Sequence, residues 1–410
     1  MKPGSEGRRI LPVFFSALLM FWVGFSPAQA SIARAPLAPE PPKIRVLLKD
    51  SVPAVRVSGL DLVLRSPQRS VQFAGQATWD LDCRSGKIRI NLGSREGRSQ
   101  FVLPEPVSIA AATALKWEER PVREVIKLFT APSGHGCQVV NELDLEDYLV
   151  GVVNGEFSSK WNEESISAQV IAARTYAWHQ ASQARRRLWH YDVEAGTGDQ
   201  VYAGAESEDS RARSLVERTR GQVLLAKRAD SKASNNARHL MPIKAFYHST
   251  CGGITDWPVR IFGERTLGVQ GGVGCPYCVS SPRYRWTLEL SRRDLEGLVG
   301  FSVQGLRVVS RWESGRVKEI EFQGISRGIA VQKKMAAPVL RSRMGPEKLR
   351  STAFEIRAGA RAGTFVFEGR GNGHGVGMCQ WGAKEMGEKG ASYLKILAHY
   401  YPASSLQRLW

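Results

Sequence analysis

The stretch Asn141-Glu-Leu-Asp-Leu-Glu-Asp-Tyr-Leu-Val-Gly-Val-Val-Asn-Gly-Glu156, followed by Ser165-Ile-Ser-Ala-Gln-Val-Ile-Ala-Ala-Arg-Thr-Tyr-Ala-Trp178, decides how the chain is read. Its first part predicts a helix from Leu143 to near Gly151, with Asp144, Glu146 and Asp147 in the opening turn, where the helix dipole favours negative charge. The second predicts a helix from Glu163 to Arg186, because Ile166, Val170, Ala173, Ala177 and Ala181 recur at helical spacing and make one buried face. Gln169, Ala173 and Tyr176 share a neighbouring face, which aims an amide and a phenol in one direction. Between the helices Glu156 follows Gly155, where a short turn can lift a carboxylate into a cleft. Arg185-Arg-Arg187 reads as a solvated helix end.

Upstream, from Ile44 to about Val140, short runs of Val, Ile and Leu alternate with polar residues and predict strands at Ile44 to Leu48, Leu62 to Arg65, Lys87 to Asn91, Gln100 to Leu103 and Val125 to Phe129. Downstream, a charged helix is expected from Glu206 to Arg220, a strand from Gly221 to Leu225 and an exposed polar loop from Arg228 to Arg238. Between Tyr284 and Phe367 the pattern returns to strands around a short helix, Arg292 to Val299; two short helices close the chain near Pro402. The expected class is α+β: a β-rich N-terminal lobe (44–140) and a mixed helical/β catalytic core (141–410).

The chain has 410 residues and a net charge of +18, which suits an anionic partner: nucleic acid, acidic lipid or acidic cell-wall polymer. Lys2, Arg8 and Arg9 precede an apolar run from Ile10 to Phe25, and Ala28-Gln-Ala30 gives a small-x-small cleavage pattern. Residues 1–30 therefore read as a secretory signal peptide, since the run falls short of the ~20 residues that cross a bilayer. Residues 31–43, rich in Ala and Pro, read as a linker. The mature chain is expected in the periplasm or cell envelope, peripheral to the membrane at most. Export disfavours nucleic acid and favours an envelope polymer.

Gly at every second position from Gly369 to Gly377 means tight turning or close approach of a ligand. No Gly-Lys-Ser/Thr follows, so a phosphate loop is not indicated. His374, flanked by glycines, lacks large local neighbours and is a candidate site residue. Glu156 with a raised pKa would serve as general acid and then base in glycosidic cleavage. Hydrolysis uses two carboxyls, and Asp199 is a candidate second. One carboxyl suffices where the sugar's own hydroxyl attacks its anomeric carbon.

Leu145-Glu-Asp-Tyr-Leu-Val-Gly-Val-Val-Asn-Gly-Glu156, Ala168-Gln-Val-Ile-Ala-Ala-Arg-Thr-Tyr176, Asp199-Gln-Val-Tyr202, His248-Ser-Thr-Cys-Gly-Gly253, and Gly371-Asn-Gly-His-Gly-Val-Gly-Met-Cys-Gln380 with Tyr400-Tyr-Pro402 resemble the successive blocks of the stage II sporulation protein D (SpoIID/LytB) family. The resemblance covers roughly Ile44 to the C-terminus. It implies a peptidoglycan lytic transglycosylase acting on glycan strands stripped of stem peptides, cleaving between N-acetylmuramic acid and N-acetylglucosamine and leaving a 1,6-anhydro end. The family's catalytic Glu corresponds to Glu156, with the muramyl C6 hydroxyl as nucleophile. Gln169, Arg174, Tyr176, Gln200, Tyr202, His248, Ser249, His374 and Gln380 would line or brace the glycan cleft. Two departures stand out. Where some members carry Cys-Asp-Thr-Thr-His-Cys and bind zinc, this chain has Glu194-Ala-Gly-Thr-Gly-Asp199, so zinc is not expected there. Asn372 stands where an aromatic is frequent, which removes a sugar-stacking surface.

The six cysteines are an even number, which in an exported chain favours disulfides. Cys275-Pro-Tyr-Cys278 with Cys251 and Cys379 would equally suit a four-thiolate structural zinc site, leaving Cys83 and Cys137 for a disulfide in the N-terminal lobe. The reaction itself needs no cofactor. Two rival functions remain: a glycan-binding activator of a cell-wall amidase without cleavage activity, and a structural envelope protein held by its basic charge.

Overall fold

The computed structural model describes residues 40–94, 97–227 and 240–410. The signal-peptide reading, the linker up to residue 39 and the polar loop from Arg228 to Arg238 lie outside the described residues. The rest is α+β with a β-rich N-terminal region.

Each predicted N-terminal run lies inside a strand, and the strands join one large antiparallel sheet. Lys43–Val52 pairs with Cys137–Asp144, with Ile44 opposite Leu143 and Val46 opposite Asn141. The sheet continues through Val125–Thr130, Val107–Ala110, Val55–Arg65, Ser70–Arg84, Lys87–Ser94 and Gly97–Pro104. Alternate residues such as Val57, Leu62, Leu64, Trp79, Leu81, Ile88 and Ile126 fill a core on one face, as a half-buried sheet requires. A disulfide joins Cys83 to Cys137. On the free edge of Lys43–Val52 the short strand Val193–Glu194 adds in parallel, Val46 beside Val193. This pairing delivers the segment that follows it to the functional site.

The strand Cys137–Asp144 runs straight into helix α1 (Leu145–Glu156), so Leu143 and Asp144 belong to the strand and the helix extends one turn beyond the expected Gly151. Helix α2 (Glu163–Arg186) has the expected bounds, capped by Asn162, whose side chain accepts from the Glu164 N–H at 2.9 Å. Its apolar face packs with α1, α3 (Ser210–Arg218) and strand Gln222–Lys227. α3 is shorter than the expected charged helix, because Asp209 caps it by accepting the Ala212 N–H at 2.7 Å.

After the short helix α4 (Pro258–Phe262), residues 285–370 form a β-rich module with a separate core, including Trp286, Leu295, Phe322, Leu340 and Phe367. It holds two three-stranded sheets with helices α5 (Arg292–Val299) and α6 (Ala337–Met344). The chain then returns through the glycine-rich segment to α7 (Gln380–Glu388) and α8 (Tyr393–Tyr400), and its last strand, Ser405–Arg408, pairs with Gln222–Lys227. Among the described residues no helix is long and apolar enough to cross a membrane.

Candidate functional site

Glu156 is the last residue of α1, not part of a separate turn; extended Phe157 closes the helix by donating to Val153 O at 3.0 Å. Gly151 and Gly155, one turn apart, press this helix against residues 201–204. A Cβ at 155 would stand 2.2 Å from Val201 O, and one at 151 would stand 2.5 Å from the Tyr202 ring. With no side chains there, the Val201 N–H reaches Glu156 Oε1 at 2.6 Å. The carboxyl is half-buried, and burial pushes its pKa above the ordinary carboxylate value. The Val201 hydrogen bond and the nearby Gln380 amide oppose that rise by favouring the charged form. Gln380 Nε2 stands near the carboxylate without meeting it in hydrogen-bond geometry and has no other partner. A carboxyl so held keeps its proton to higher pH than an exposed one, as a general acid must.

Glu156 opens into a cleft of about 740 Å³. One wall carries Trp161 and Tyr176, another Thr197, Gly198, Asp199 and Val201, and the floor carries Phe246 to Ser249. Arg283 comes from the segment just before the β-rich module, Arg341 and Glu347 from the module itself, and Asn372, His374, Gln380 and Trp381 from the C-terminal segment. A second cavity of about 710 Å³, within the module near Arg285 and Arg311, contains none of the expected catalytic or substrate-binding residues.

Of the expected site residues, Glu156, Tyr176, His248, Ser249, His374 and Gln380 meet in the cleft. Gln169, Arg174, Gln200 and Tyr202 do not line it; all four are buried behind its walls. Arg174 pairs with Glu146 at 2.7 Å and donates to the carbonyls of Val216 and Gln222, while Trp410 Nε1 also donates to Glu146 at 2.8 Å. Glu146 is thus a buried ion-pair partner and not a solvated helix-start charge. Gln200 accepts from the Tyr148 hydroxyl at 3.0 Å and donates to the Tyr247 hydroxyl at 2.8 Å. Tyr202 packs on Tyr148 and donates to Asn141 at 3.3 Å. Gln169 leaves its buried Nε2 without a partner.

Both histidines are neutral. His248 Nδ1 donates to Val376 O at 3.0 Å, leaving buried Nε2 as an unpartnered acceptor, and burial beside the Arg316 charge pushes its pKa down to about 3. His374 uses both nitrogens on backbone: Nε2 donates to Tyr247 O at 2.9 Å and Nδ1 accepts the Val376 N–H at 3.1 Å. Its ring lies among Phe246, Phe262 and His248, large neighbours supplied by distant segments. The glycine-rich segment is what lets these parts close together. Gly377 has φ 70°, and a Cβ there would lie 1.9 Å from Phe246 O.

Asp199 is fully engaged. Oδ1 accepts from the Tyr176 hydroxyl at 2.6 Å and Gln180 Nε2 at 3.0 Å, and Oδ2 accepts the Glu194 N–H at 2.9 Å. Its work is to fold the loop that presents Val201 to Glu156. Residues that sequence reading overlooked include Tyr247, Arg283, Arg341 and two indoles. Trp161 and Trp381 meet edge-on at 5.5 Å under Lys384, so the cleft has an aromatic surface despite Asn372. Trp381 follows Gln380 directly in the C-terminal block, which was its available signal. Behind the cleft Cys251, Cys275, Cys278 and Cys379 are buried, unbridged, and have Sγ atoms all within 4.8 Å of one another.

Residues 133–225 match the stage II sporulation protein family, and residues 279–377 match a domain of unknown function that includes the whole β-rich module. An uncharacterized protein of Brachyspira hyodysenteriae is 32% identical over 269 residues, which is 64% of this chain and 66% of that protein. Stage II sporulation protein D of Bacillus subtilis is 25% identical over 276 residues, 66% of this chain and 76% of the relative. The amidase enhancer of Bacillus subtilis is 25% identical over 392 residues; the match takes in 82% of this chain but only 50% of that protein.

Proposed function

From the premise that this chain belongs to the stage II sporulation protein D family, we propose that it acts on the bacterial cell wall as a lytic transglycosylase of peptide-free glycan strands. The observation that carries this reading is the half-buried carboxyl of Glu156, raised in pKa and facing a cleft whose other carboxylates differ from it: Asp199 is already engaged in three hydrogen bonds, and Glu347 is exposed. One such carboxyl suits a reaction that activates no water.

In that reaction Glu156 gives its proton to the glycosidic oxygen as the bond from muramyl C1 breaks. The muramyl C6 hydroxyl attacks C1, and its proton passes to the Glu156 carboxylate. The acid is regenerated, a 1,6-anhydro ring closes, and no water is consumed. The Val201 N–H stabilises the carboxylate between the two transfers. Trp161 and Trp381 offer ring faces to sugar, and Arg283 and Arg341 suit the lactyl carboxylate that is free once a stem peptide has been removed. Burial lowers Arg341 to about 10, which leaves it charged at neutral pH. Export by residues 1–30 would deliver the chain to the envelope, where its substrate lies. Cleavage in heavy-oxygen water tests the route: intramolecular attack puts no label in the product, and hydrolysis puts one labelled oxygen in each new reducing end.

A second reading is favoured by the 82% of this chain that aligns with a protein named amidase enhancer. In it the same cleft binds glycan and presents it to a cell-wall amidase. Stimulation of an amidase by both the wild type and Glu156→Gln, without glycan cleavage by either, would support that reading over the first.

A further inference from the structure

We infer that Cys251, Cys275, Cys278 and Cys379 bind one zinc ion as a four-thiolate centre that fixes the cleft floor from behind. The four come from three separated segments. Cys251 follows the strand Tyr247–His248, Cys275 caps the tight turn Pro276–Ser280 and Cys278 lies within it, and Cys379 caps α7. Their Sγ atoms lie within 4.8 Å of one another, with Cys251 and Cys278 at 3.5 Å. Four thiolates about 2.3 Å from one zinc ion stand about 3.8 Å apart at the edges of a tetrahedron. The spacing therefore fits a single small ion, whereas a polynuclear iron–sulfur cluster would hold its thiolates farther apart.

The surroundings match anionic sulfur. Backbone N–H groups point at two of the atoms: Cys251 N at 3.2 Å and Gly382 N at 3.4 Å from Cys379 Sγ, and Gly253 N at 3.3 Å from Cys251 Sγ. The Tyr400 hydroxyl stands 3.1 Å from Cys275 Sγ, and the buried Arg316 guanidinium donates to Cys251 O at 2.7 Å, bringing positive charge to a site with net negative charge. Position 382 must be glycine, since a Cβ would approach Cys275 Sγ to 2.6 Å. The same chain carries the Cys83–Cys137 disulfide, a bond of oxidising compartments, in which four crowded thiols would pair unless an ion held them.

The centre is coupled to the cleft through the chain. Cys379 immediately precedes Gln380, Cys251 lies two residues after Ser249, and His248 pairs with Cys379 across the short parallel bridge. Metal would thereby hold Gln380, His248 and Ser249 in one frame. This inference concerns structure and does not depend on what reaction Glu156 performs.

Elemental analysis of the full chain, prepared with zinc and without chelators, is expected to give one zinc per chain, released as the four thiols are titrated with a mercurial. Replacement by Co²⁺ should give the intense visible absorption of a tetrahedral thiolate centre. Cys275→Ser with Cys278→Ser should lose the metal, and Cys83→Ser with Cys137→Ser should keep it. If the serine variant fails to fold, the wild-type stoichiometry and cobalt spectrum still decide. A soluble wild type with no metal, whether its four cysteines are free or paired, would overturn the proposal.

Discussion

Val201 and Glu156 are joined by a hydrogen bond of 2.6 Å that exists because residue 155 has no side chain. Gly155→Ala would force a methyl group against Val201 O, a backbone atom that cannot swing aside. Overpacking of this kind costs about 1–3 kcal/mol, and the loop that carries Val201 must retreat from the carboxyl. The expected result is a modest drop in denaturant stability with a fall in kcat on glycan of at least about tenfold, the larger share being catalytic. An unchanged kcat would separate Val201 from the chemistry.

The raised pKa of Glu156 makes a signed prediction for stability. A carboxyl whose folded pKa lies above its unfolded value adds stability below the unfolded pKa, and that contribution is lost as pH rises through the folded value. Glu156→Gln, which keeps an acceptor for Val201 and removes the charge, should therefore gain on wild type as pH rises from about 4 to about 7. Urea unfolding of both proteins across that range checks it. The same shift sets the activity limb, with general-acid function falling as pH rises through the folded pKa.

Much of this arrangement could be read from the sequence, and what could not has physical causes. α2 repeats its apolar residues for about four turns, from Ile166 to Ala181, and α5 carries a capping box between Ser291 and Asp294, so local pattern fixed both. The end of α1 was hidden because Gly151 and Gly155 read locally as helix breakers, whereas their use is the approach of residues 201–204. Glu146 looked like a dipole-favoured helix start; its partner Arg174 lies 28 positions away and nothing local announces it. The rings around His374 likewise come from segments 112 or more residues distant, beyond any periodicity. The candidate acid itself, Glu156, was visible from its block.

Arg174→Met should act on the fold and not on the glycan. It leaves the Glu146 carboxylate buried beside Trp410 and Gly221 without its cation, a change worth about 3–5 kcal/mol. Adding Glu146→Gln should recover part of the loss. Denaturant midpoints of the two single variants and the double variant measure the coupling.

Trp381→Ala removes one indole of the Trp161–Trp381 pair while leaving Glu156 and Val201 in contact. If this surface carries sugar, KM on glycan strands should rise about 5- to 30-fold, near 1–2 kcal/mol of binding, with kcat changed far less. Steady-state kinetics on strands of defined length would show it. A loss confined to kcat would place Trp381 in the orientation of Gln380 instead.

Product analysis by mass spectrometry, after peptide-free glycan strands are incubated with wild type and with Glu156→Gln, bears most directly on the proposed function. Anhydromuramyl ends formed by wild type and absent with Glu156→Gln are the predicted result. Anhydromuramyl ends formed equally by both proteins would remove Glu156 as the acid, and intact strands from the wild type would contradict the transglycosylase.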